Sequence, residues 1–395
     1  MKFISKNWLV ILSGLIILFV GIMTVVKSGK TIAVSTFSYV KEHGSNVELL
    51  KGTISEFEGQ YTNHLYGKSY FVECFGLFNK VLNKKIILDN EDRYTVYKMN
   101  NGMLSQNYIG YDTTSFSQNY VLFSEKMDSL GIPLLYVQAP FKVDKYDNEL
   151  PYGVGDETNL LADSFLQGIS DKCKTLDLRE EIHNQGLNYS SLFYSTDHHW
   201  KAETGLWASG VLAGKLIEFY GLDLNISHLS KDNYNYTVYE DYFLGSLGKR
   251  TGISYSGLDD FVLIEPRYVT NYQVLIPALD LVREGAYSDS VLFKEYMGRN
   301  YFEDDPGRVY TGDNYSLMMI NNLISSNDTK LLLIKDSFSK SVIPSFASTC
   351  KELHIIDLRT FEGSVSEYAM SNDIDCVVVM YNPSVVVNPE FFNLN

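Results

Sequence analysis

The chain has 395 residues, a hydrophobic content of 45% and a formal net charge of −15 at pH 7. This length and apolar content suffice for one large globular domain, alone or with a smaller attachment. The negative charge argues against a nucleic-acid function, because binding to phosphates depends largely on Lys and Arg. The chain is rich in tyrosine, which is as typical of packing in a sheet-rich protein as of surfaces that contact sugars.

The first predicted element is an uncharged apolar helix over residues 8–26. At a rise of about 1.5 Å per residue, this run is long enough to cross the ~30 Å hydrocarbon layer of a membrane. It is also longer than the apolar core of a cleavable signal peptide, which has about 7–15 residues. We therefore predict that residues 1–30 form a cytoplasmic tip and an uncleaved transmembrane anchor, with a cleaved signal peptide as the alternative. Lysines flank the run on both sides, at Lys2, Lys6, Lys27 and Lys30.

Residues 31–110 are predicted to form a stalk and an amino-terminal elaboration, and residues 111–395 to form the main domain. In the main domain, short apolar runs alternate with amphipathic segments, which is typical of parallel strands joined by helices on both faces of a sheet. At about 221–327 this pattern gives way to short Tyr-rich segments and turns, which indicate an irregular β-rich insertion. We thus predict a three-layer α/β/α sandwich. Its five parallel strands are expected at residues 132–137, 175–178, 331–334, 353–356 and 376–381.

The motif Asp197-His198-His199-Trp200 is predicted to form the head of a long amphipathic helix. A carboxylate two residues before a histidine at a helix start puts both side chains at the same end of one element, which suits an acid–base pair. Asp197 could instead cap the helix, because Asp is a favoured N-cap residue, and His199 could be a packed polar side chain. His198 is a rival base, to which we assign a supporting or substrate-facing role. Trp200 is a candidate substrate contact.

The predicted nucleophile is Ser337, in a polar turn directly after the apolar strand at 331–334. A buried strand that breaks into such a turn presents a hydroxyl at the carboxyl edge of a parallel sheet, where sites of open α/β sheets lie. A serine hydroxyl needs a base to take its proton and a third group to orient that base. We therefore predict that His199 activates Ser337 and that Asp197 orients His199.

Further residues near Ser337 are candidates for stabilising an oxyanion. A helix predicted over residues 339–349 would direct its amino-terminal amides towards the site. Gly312, through its backbone, or Asn314, through its side-chain amide, could supply a second donor, although an ordinary turn explains that stretch as well. Lys335 and Asp336 could tune the serine electrostatically, or they could only solvate the end of the strand.

The residue spacing gives little support for a metal site and does not decide between disulfides and free thiols. Two adjacent histidines and Asp197 could bind zinc, but no further well-placed ligand is evident, so we predict neither a metal nor a cofactor. The cysteines form no CxxC pair, and disulfides and free thiols fit their positions equally well. They are Cys74, Cys173, Cys350 and Cys376.

At these residues the chain resembles the DHHW family of exported bacterial proteins. More broadly, it resembles the SGNH-hydrolase-like acetyltransferases that modify surface polysaccharides, such as the alginate acetylation proteins. The resemblance covers roughly residues 50–385 and is carried by the segments 197–200, 243–248, 334–338 and 354–359. It implies an SGNH-like fold, with Asp197, His199 and Ser337 as aspartate, base and nucleophile. Lys335 departs from the family pattern, because it stands where the relatives carry glycine.

The resemblance implies an extracytoplasmic O-acyltransferase, more narrowly an O-acetyltransferase, that modifies a cell-surface polysaccharide through an acyl-serine intermediate. Acetyl-CoA is not expected outside the cell, so a membrane-bound O-acyltransferase is the expected acyl donor. The span at 8–26 would hold the protein in the cell membrane by a single pass, with its main domain outside. Two alternatives remain: a carbohydrate esterase with the same triad, and a glycan-binding or scaffold protein without turnover.

Overall fold

The computed structural model describes residues 2–43, 47–89, 94–110 and 112–394. The chain forms two compact units, Met1–Phe78 and Asn79–Asn395. The helices are α1 (Lys2–His43), α2 (Val47–Asn63), α3 (Lys68–Val81), α4 (Thr114–Ser129), α5 (Glu157–Ile169), α6 (Leu178–Asn184), α7 (Ala202–Tyr220), α8 (Ser246–Thr251), α9 (Ile253–Ser256), α10 (Tyr287–Ser290), α11 (Ile343–Phe346) and α12 (Val365–Ser371). The strands are β1 (Ile86–Ile87), β2 (Val96–Lys98), β3 (Leu104–Ser105), β4 (Leu134–Gln138), β5 (Lys174–Asp177), β6 (Tyr234–Phe243), β7 (Asp259–Pro266), β8 (Tyr272–Ile276), β9 (Leu281–Gly285), β10 (Leu317–Asn322), β11 (Lys330–Lys335), β12 (Glu352–Ile356) and β13 (Cys376–Tyr381).

The amino-terminal unit is built around α1. Within α1, the stretch Asn7–Lys41 is the one helix of the described residues that is long and apolar enough to cross a membrane, judged by length and composition. Helix α2 runs back along α1, so that the segment predicted as a stalk begins with a helical hairpin. After α2, the Tyr66 amide donates a hydrogen bond to Thr24 Oγ1 at 3.0 Å, and the Tyr66 ring lies edge-on 6.1 Å from the Phe19 ring.

The main sheet has eight strands within the described part of the chain, in the order β5-β4-β13-β11-β12-β10-β8-β9. The first five of these are parallel to one another. They are the five strands that the sequence predicts, because strands covered on both faces appear as short, nearly continuous apolar runs. The prediction of an α/β fold with a parallel sheet is therefore confirmed.

The predicted insertion contributes to this sheet rather than standing apart from it. Strands β10, β8 and β9 add to one edge in antiparallel pairing. Buried residues alternate with partly exposed ones along β8 and β10, as expected for strands with only one face covered. Strands β6 and β7 form a separate antiparallel pair. The expectation of a β-rich segment is correct, but the sequence did not predict that it extends the sheet.

The central strands separate two hydrophobic cores. Leu331 and Leu333 of β11 face one core, which also contains apolar side chains of α7 and α11. Leu332 and Ile334 face the other core, which contains side chains of α4, α5 and α12. All four residues are fully buried, and burial of each such side chain stabilises the fold by about 1.5–3 kcal/mol. This arrangement is the predicted three-layer α/β/α sandwich.

The helix predicted over residues 339–349 is broken into short pieces. A 3-10 turn over Ser337–Ser341 is followed by the single turn of α11 and a second 3-10 turn over Ala347–Thr349. Pro344 lies in the first turn of α11. Proline has no amide hydrogen to donate to the preceding turn, so it favours the start of a new helix over the continuation of an old one. The prediction of one continuous helix after Ser337 is therefore wrong.

Candidate active site

Asp197, His199 and Ser337 form a continuous chain of hydrogen bonds. His199 Nδ1 lies 2.6 Å from Asp197 Oδ1, and His199 Nε2 lies 2.8 Å from Ser337 Oγ. Ser337 follows the carboxyl end of β11, at the edge of the parallel sheet where a site is expected. Both distances are within the range that proton transfer requires. The structure thus brings together the three residues that the sequence pairs as orienter, base and nucleophile.

The Asp-His-His-Trp motif lies in a loop before α7 rather than in its first turn. Helix α7 begins at Ala202, and its N-cap is Lys201. Trp200 forms an antiparallel bridge with Phe193, so the two ends of the loop between them lie side by side. Extended backbone at this bridge delays the start of the helix. The expectation of a helix start at Asp197 is therefore wrong, and so is the alternative that Asp197 caps the helix.

The Asp197 carboxylate is buried and fully engaged. Oδ1 accepts hydrogen bonds from the His199 amide at 2.9 Å and from the His199 ring, and Oδ2 accepts one from the Ser246 amide. Burial alone would raise the pKa of Asp197, but His198, His199 and these hydrogen bonds hold that pKa well below its usual range. Asp197 is therefore charged at neutral pH and is able to stabilise positive charge that develops on His199.

The segment 243–248 packs directly against this loop. The Gly245 amide donates to Thr196 Oγ1 at 2.8 Å, and the Gly248 amide donates to the Thr196 carbonyl at 2.8 Å. A Cβ atom on Gly245 would lie 2.3 Å from Asp197 Cβ and 2.5 Å from its Cα. Glycine is needed at this position because no side chain fits between the two backbones. The segment therefore fixes the position of Asp197.

We expect the substitution Gly245→Ala to lower both stability and activity. The added methyl group must push Asp197 away, and overpacking of this kind costs about 1–3 kcal/mol. A displacement of about 1 Å in a catalytic group is able to cost about 10²-fold in rate. Urea denaturation and nitrophenol release from p-nitrophenyl acetate measure the two effects. The matched control is Gly210→Ala in α7, where a Cβ meets no atom within 4 Å. Equal behaviour of the two variants would contradict this account of Gly245.

Two buried ionisable residues, Lys142 and Asp259, form hydrogen bonds with the backbone of the loop that carries Asp197. Lys142 Nζ donates to the Ser195 carbonyl at 2.9 Å and to the Asp197 carbonyl at 2.6 Å. The Asp259 carboxylate accepts the amides of Ser195 and Thr196 at 2.6 and 2.7 Å. The sequence did not predict either residue, because both are distant in the chain from the motif and belong to no local pattern.

The buried position of Lys142 predicts an unusual dependence of stability on pH. Burial lowers the pKa of Lys142 to about 7, although Asp259 and Asp197 partly offset this effect. In the unfolded chain a lysine keeps its proton up to a pH of about 10.4. Between these values the unfolded state binds more protons, so rising pH favours the folded state.

We therefore expect the free energy of unfolding of the wild type, relative to that of Lys142→Met, to increase from pH 7 to pH 9. The increase is at most about 1.4 kcal/mol per pH unit. Urea denaturation of both proteins at each pH gives this difference, in which all other titrating groups cancel. A constant difference, or one that falls with pH, would show that Lys142 keeps its proton in the folded protein.

His198 lies beside the triad without joining it. Its ring centroid is 3.8 Å from that of His199, and its Nδ1 lies 2.8 Å from Ser246 Oγ. Burial and the adjacent His199 lower the pKa of His198 to about 3, so the ring is neutral at pH 7. Ser246 therefore holds Asp197 by its amide and His198 by its hydroxyl. The sequence did not predict a role for Ser246.

Asp197, His198 and His199 also place possible metal-ligand atoms within 4.8 Å of one another. This is the group that the sequence suggested for zinc. In the structure, however, Asp197 Oδ1 and His199 Nδ1 bind each other, and His198 Nδ1 contacts Ser246. A metal ion would have to replace these hydrogen bonds, so the residues as arranged suit a triad better than a metal centre.

Trp200 and Asp336 hold the serine turn in place. The Trp200 indole Nε1 donates to the Phe338 carbonyl at 2.9 Å, and Trp200 is only 2% exposed. Asp336 accepts the Phe338 amide at 2.8 Å and the Asn382 amide at 2.7 Å. Trp200 also lines the cavity at Ser337, although its ring is almost completely buried, and its role as a substrate contact stays a prediction. Asp336 caps the 3-10 turn rather than solvating the strand end.

The remaining predicted residues, Lys335, Gly312 and Asn314, also have defined partners. Buried Lys335 bonds Asp357 Oδ2 at 3.0 Å and Asn314 Oδ1 at 2.6 Å, so it does not solvate the strand end. The Gly312 amide donates to the Arg308 carbonyl at 2.9 Å, which leaves it unable to serve as an oxyanion donor. The bond from Lys335 orients the side chain of Asn314, whose role as a donor stays a prediction.

A cavity of about 210 Å³ opens at His199 and Ser337. Aromatic side chains form much of its wall, and the charged side chains of Lys249, Asp305 and Lys340 also reach it. The aromatic residues are Tyr194, Trp200, Phe243, Phe261, Tyr310 and Phe338. A substrate in this cavity would meet apolar ring faces, a few charges and the Ser337 hydroxyl.

Comparison with known proteins identifies the fold. No protein-family model and no curated protein sequence match the chain. Among solved structures, Bacillus cereus PatB1 with a sulfonyl adduct aligns with a TM-score of 0.63 and 18% identity, over 78% of this chain and 99% of that chain. A DHHW family protein from Eubacterium siraeum DSM 15702 aligns with a TM-score of 0.55 and 16% identity, over 78% and 97% of the two chains.

The O-acetyltransferase domain of Pseudomonas putida AlgJ aligns with a TM-score of 0.40 and 10% identity, over 76% of this chain and 91% of that chain. The two higher-scoring matches each cover 78% of this chain and nearly the whole of the proteins compared. The chain therefore has the fold of PatB1 and of a DHHW family protein, as the motifs in its sequence predicted.

Proposed function

We propose that the protein is a membrane-anchored, extracytoplasmic O-acetyltransferase that acts on a cell-surface polysaccharide. The observation that carries this proposal is the hydrogen-bond chain from Asp197 through His199 to Ser337, which ends at an aromatic cavity. The fold shared with PatB1 and a DHHW family protein adds support at the level of architecture. The apolar helix α1 supports attachment to the membrane.

The reaction follows from the contacts of His199. As Ser337 Oγ attacks the carbonyl carbon of the acyl donor, His199 Nε2 takes its proton, and the donor's leaving group departs with that proton from His199. Asp197 keeps the proton of His199 on Nδ1 and stabilises the charged ring between these steps. A sugar hydroxyl then gives its proton to His199 and attacks the acyl-serine ester, and the proton returns to Ser337.

The cavity is suited to a short acyl group and to part of a sugar. Its volume of about 210 Å³ is small. Its aromatic side chains offer flat apolar faces on which a sugar ring is able to stack. A membrane-bound O-acyltransferase is the proposed acyl donor, because the active site would lie outside the cell, where acetyl-CoA is not expected.

Transfer is tested with purified full-length protein, p-nitrophenyl acetate as donor and a panel of neutral, amino-sugar and uronate oligosaccharides as acceptors. We expect acetylated oligosaccharide in the mass spectrum and faster nitrophenol release when the acceptor is present. Nitrophenol release that no acceptor accelerates, with free acetate as the product, would identify an esterase. Oligosaccharide binding that is unchanged in Ser337→Ala, without any nitrophenol release, would identify a binding protein.

A further inference from the structure

The outward face of α3 is its apolar face. Seven apolar side chains at helical spacing are exposed along one side of this helix, whereas Gly76 and Asn79 on the other side are buried. In a soluble protein the apolar stripe of a helix normally faces the core. An exposed apolar surface of this extent marks an interaction site. The stripe consists of Tyr70, Phe71, Cys74, Phe75, Leu77, Phe78 and Val81.

The contacts of Tyr66 place the start of α3 beside the apolar part of α1. Tyr66 bonds Thr24 and contacts the ring of Phe19, and α3 begins two residues later. Thr24 lies two residues inside the carboxyl end of the predicted span at 8–26, which corresponds to about 3 Å along the helix. Phe19 lies about 10 Å inside that end. Tyr66 therefore occupies the depth at which tyrosine is enriched in membrane proteins, the boundary between headgroups and acyl chains.

The composition of α3 fits a helix that lies in a lipid interface. Its stripe contains large aromatic side chains, which prefer the boundary between headgroups and acyl chains. Lys68 at its start and Lys80 in its last turn are able to reach lipid phosphates. Both the depth of Tyr66 and this composition favour lipid over a protein partner as the group that covers the stripe.

We propose that α3 is a second membrane element, which lies in the bilayer surface with this stripe among the acyl chains. The proposal rests on the part of the proposed function that assigns α1 to the membrane. The chain after α3 would then start at the membrane surface and not at the end of an extended stalk.

Cys74 provides a native probe on this stripe. The full-length protein with Cys173→Ser is labelled with a nitroxide at Cys74 and placed in nanodiscs of phosphatidylcholine and phosphatidylglycerol. Cys350 and Cys376 are buried and should remain unlabelled. Collisions of the label with oxygen, which dissolves in lipid, are compared with collisions with nickel-EDDA, which stays in water. We expect the ratio of oxygen to nickel accessibility at Cys74 to exceed that of an aqueous reference several-fold.

Two reference labels make the outcome decisive, both made with Cys74→Ser and Cys173→Ser. Tyr152→Cys lies in a fully exposed loop and reports water, and Ile17→Cys lies in the middle of the span and reports lipid. An accessibility ratio at Cys74 equal to that at Tyr152→Cys would overturn the proposal. A ratio at Ile17→Cys as low as that at Tyr152→Cys would overturn it too, because the span itself would then lie in water. A Cys74 label shielded from both reagents would assign the stripe to a protein partner and overturn it as well. Acylation of Ser337, measured on the same nanodiscs, tests the proposed function separately.

Discussion

Replacing His199 with alanine is expected to slow acylation of Ser337 by about 10²- to 10⁴-fold. The His199 ring is the group that contacts Ser337 Oγ, at 2.8 Å, and without it the hydroxyl keeps its proton during attack. The burst of nitrophenol release from p-nitrophenyl acetate in a stopped-flow experiment measures this step. Far-ultraviolet circular dichroism verifies that the variant is folded.

His198→Ala is the matched comparison for this prediction. The His198 ring stands beside His199 but contacts Ser246, so its loss should affect the burst rate much less. If His198→Ala abolished the burst and His199→Ala left it intact, the base would be His198. The assignment of roles within the adjacent pair would then be reversed.

Replacing Asp197 with asparagine is expected to lower the rate of acylation by about 10⁴-fold, with little change in structure. An asparagine amide that donates to His199 Nδ1 stabilises the wrong tautomer, in which Nε2 carries the proton and is unable to accept one from Ser337. It also removes the negative charge that stabilises the protonated ring. The burst rate of this variant measures the loss in acylation, and its midpoint of thermal unfolding shows whether the structure is retained.

Asp260→Asn is the control for Asp197→Asn. Asp260 is exposed and accepts the Asp241 amide, and it has no contact with the triad. We expect this variant to keep the wild-type burst rate. A loss in Asp197→Asn no larger than the loss in Asp260→Asn would mean that the carboxylate of Asp197 has no part in activating Ser337.

The parallel strands and the triad were predictable because each has a local signal. A strand that is buried on both faces appears in the sequence as a short apolar run. In β11 such a run is followed directly by the polar turn that carries Ser337, which made the nucleophile recognisable. Asp197 and His199 are two residues apart and hydrogen-bond each other directly. Their position before α7 was also predictable to within a few residues, but the bridge at Trp200 was not, because its partner strand is a single residue.

The residues that hold the triad in position were not predictable, because their contacts join parts of the chain that are distant in sequence. Lys142 and Asp259 meet the motif only after folding, and nothing in their neighbouring residues signals this. Gly245 belongs to a stretch that the family resemblance singled out, yet its purpose becomes clear only from its distance to Asp197. Strands β8–β10 were missed as parts of the sheet because half-buried strands with polar residues on one face give a weaker signal than fully buried ones.

The central claim is that Ser337 becomes acylated with His199 as its base. Mass spectrometry of the protein and its peptides after incubation with p-nitrophenyl acetate tests this claim most directly. We predict a mass gain of one acetyl group on the Ser337 peptide of the wild type, and no gain in Ser337→Ala or His199→Ala. An acetyl group on another residue, or nitrophenol release by Ser337→Ala at the wild-type rate, would contradict the claim.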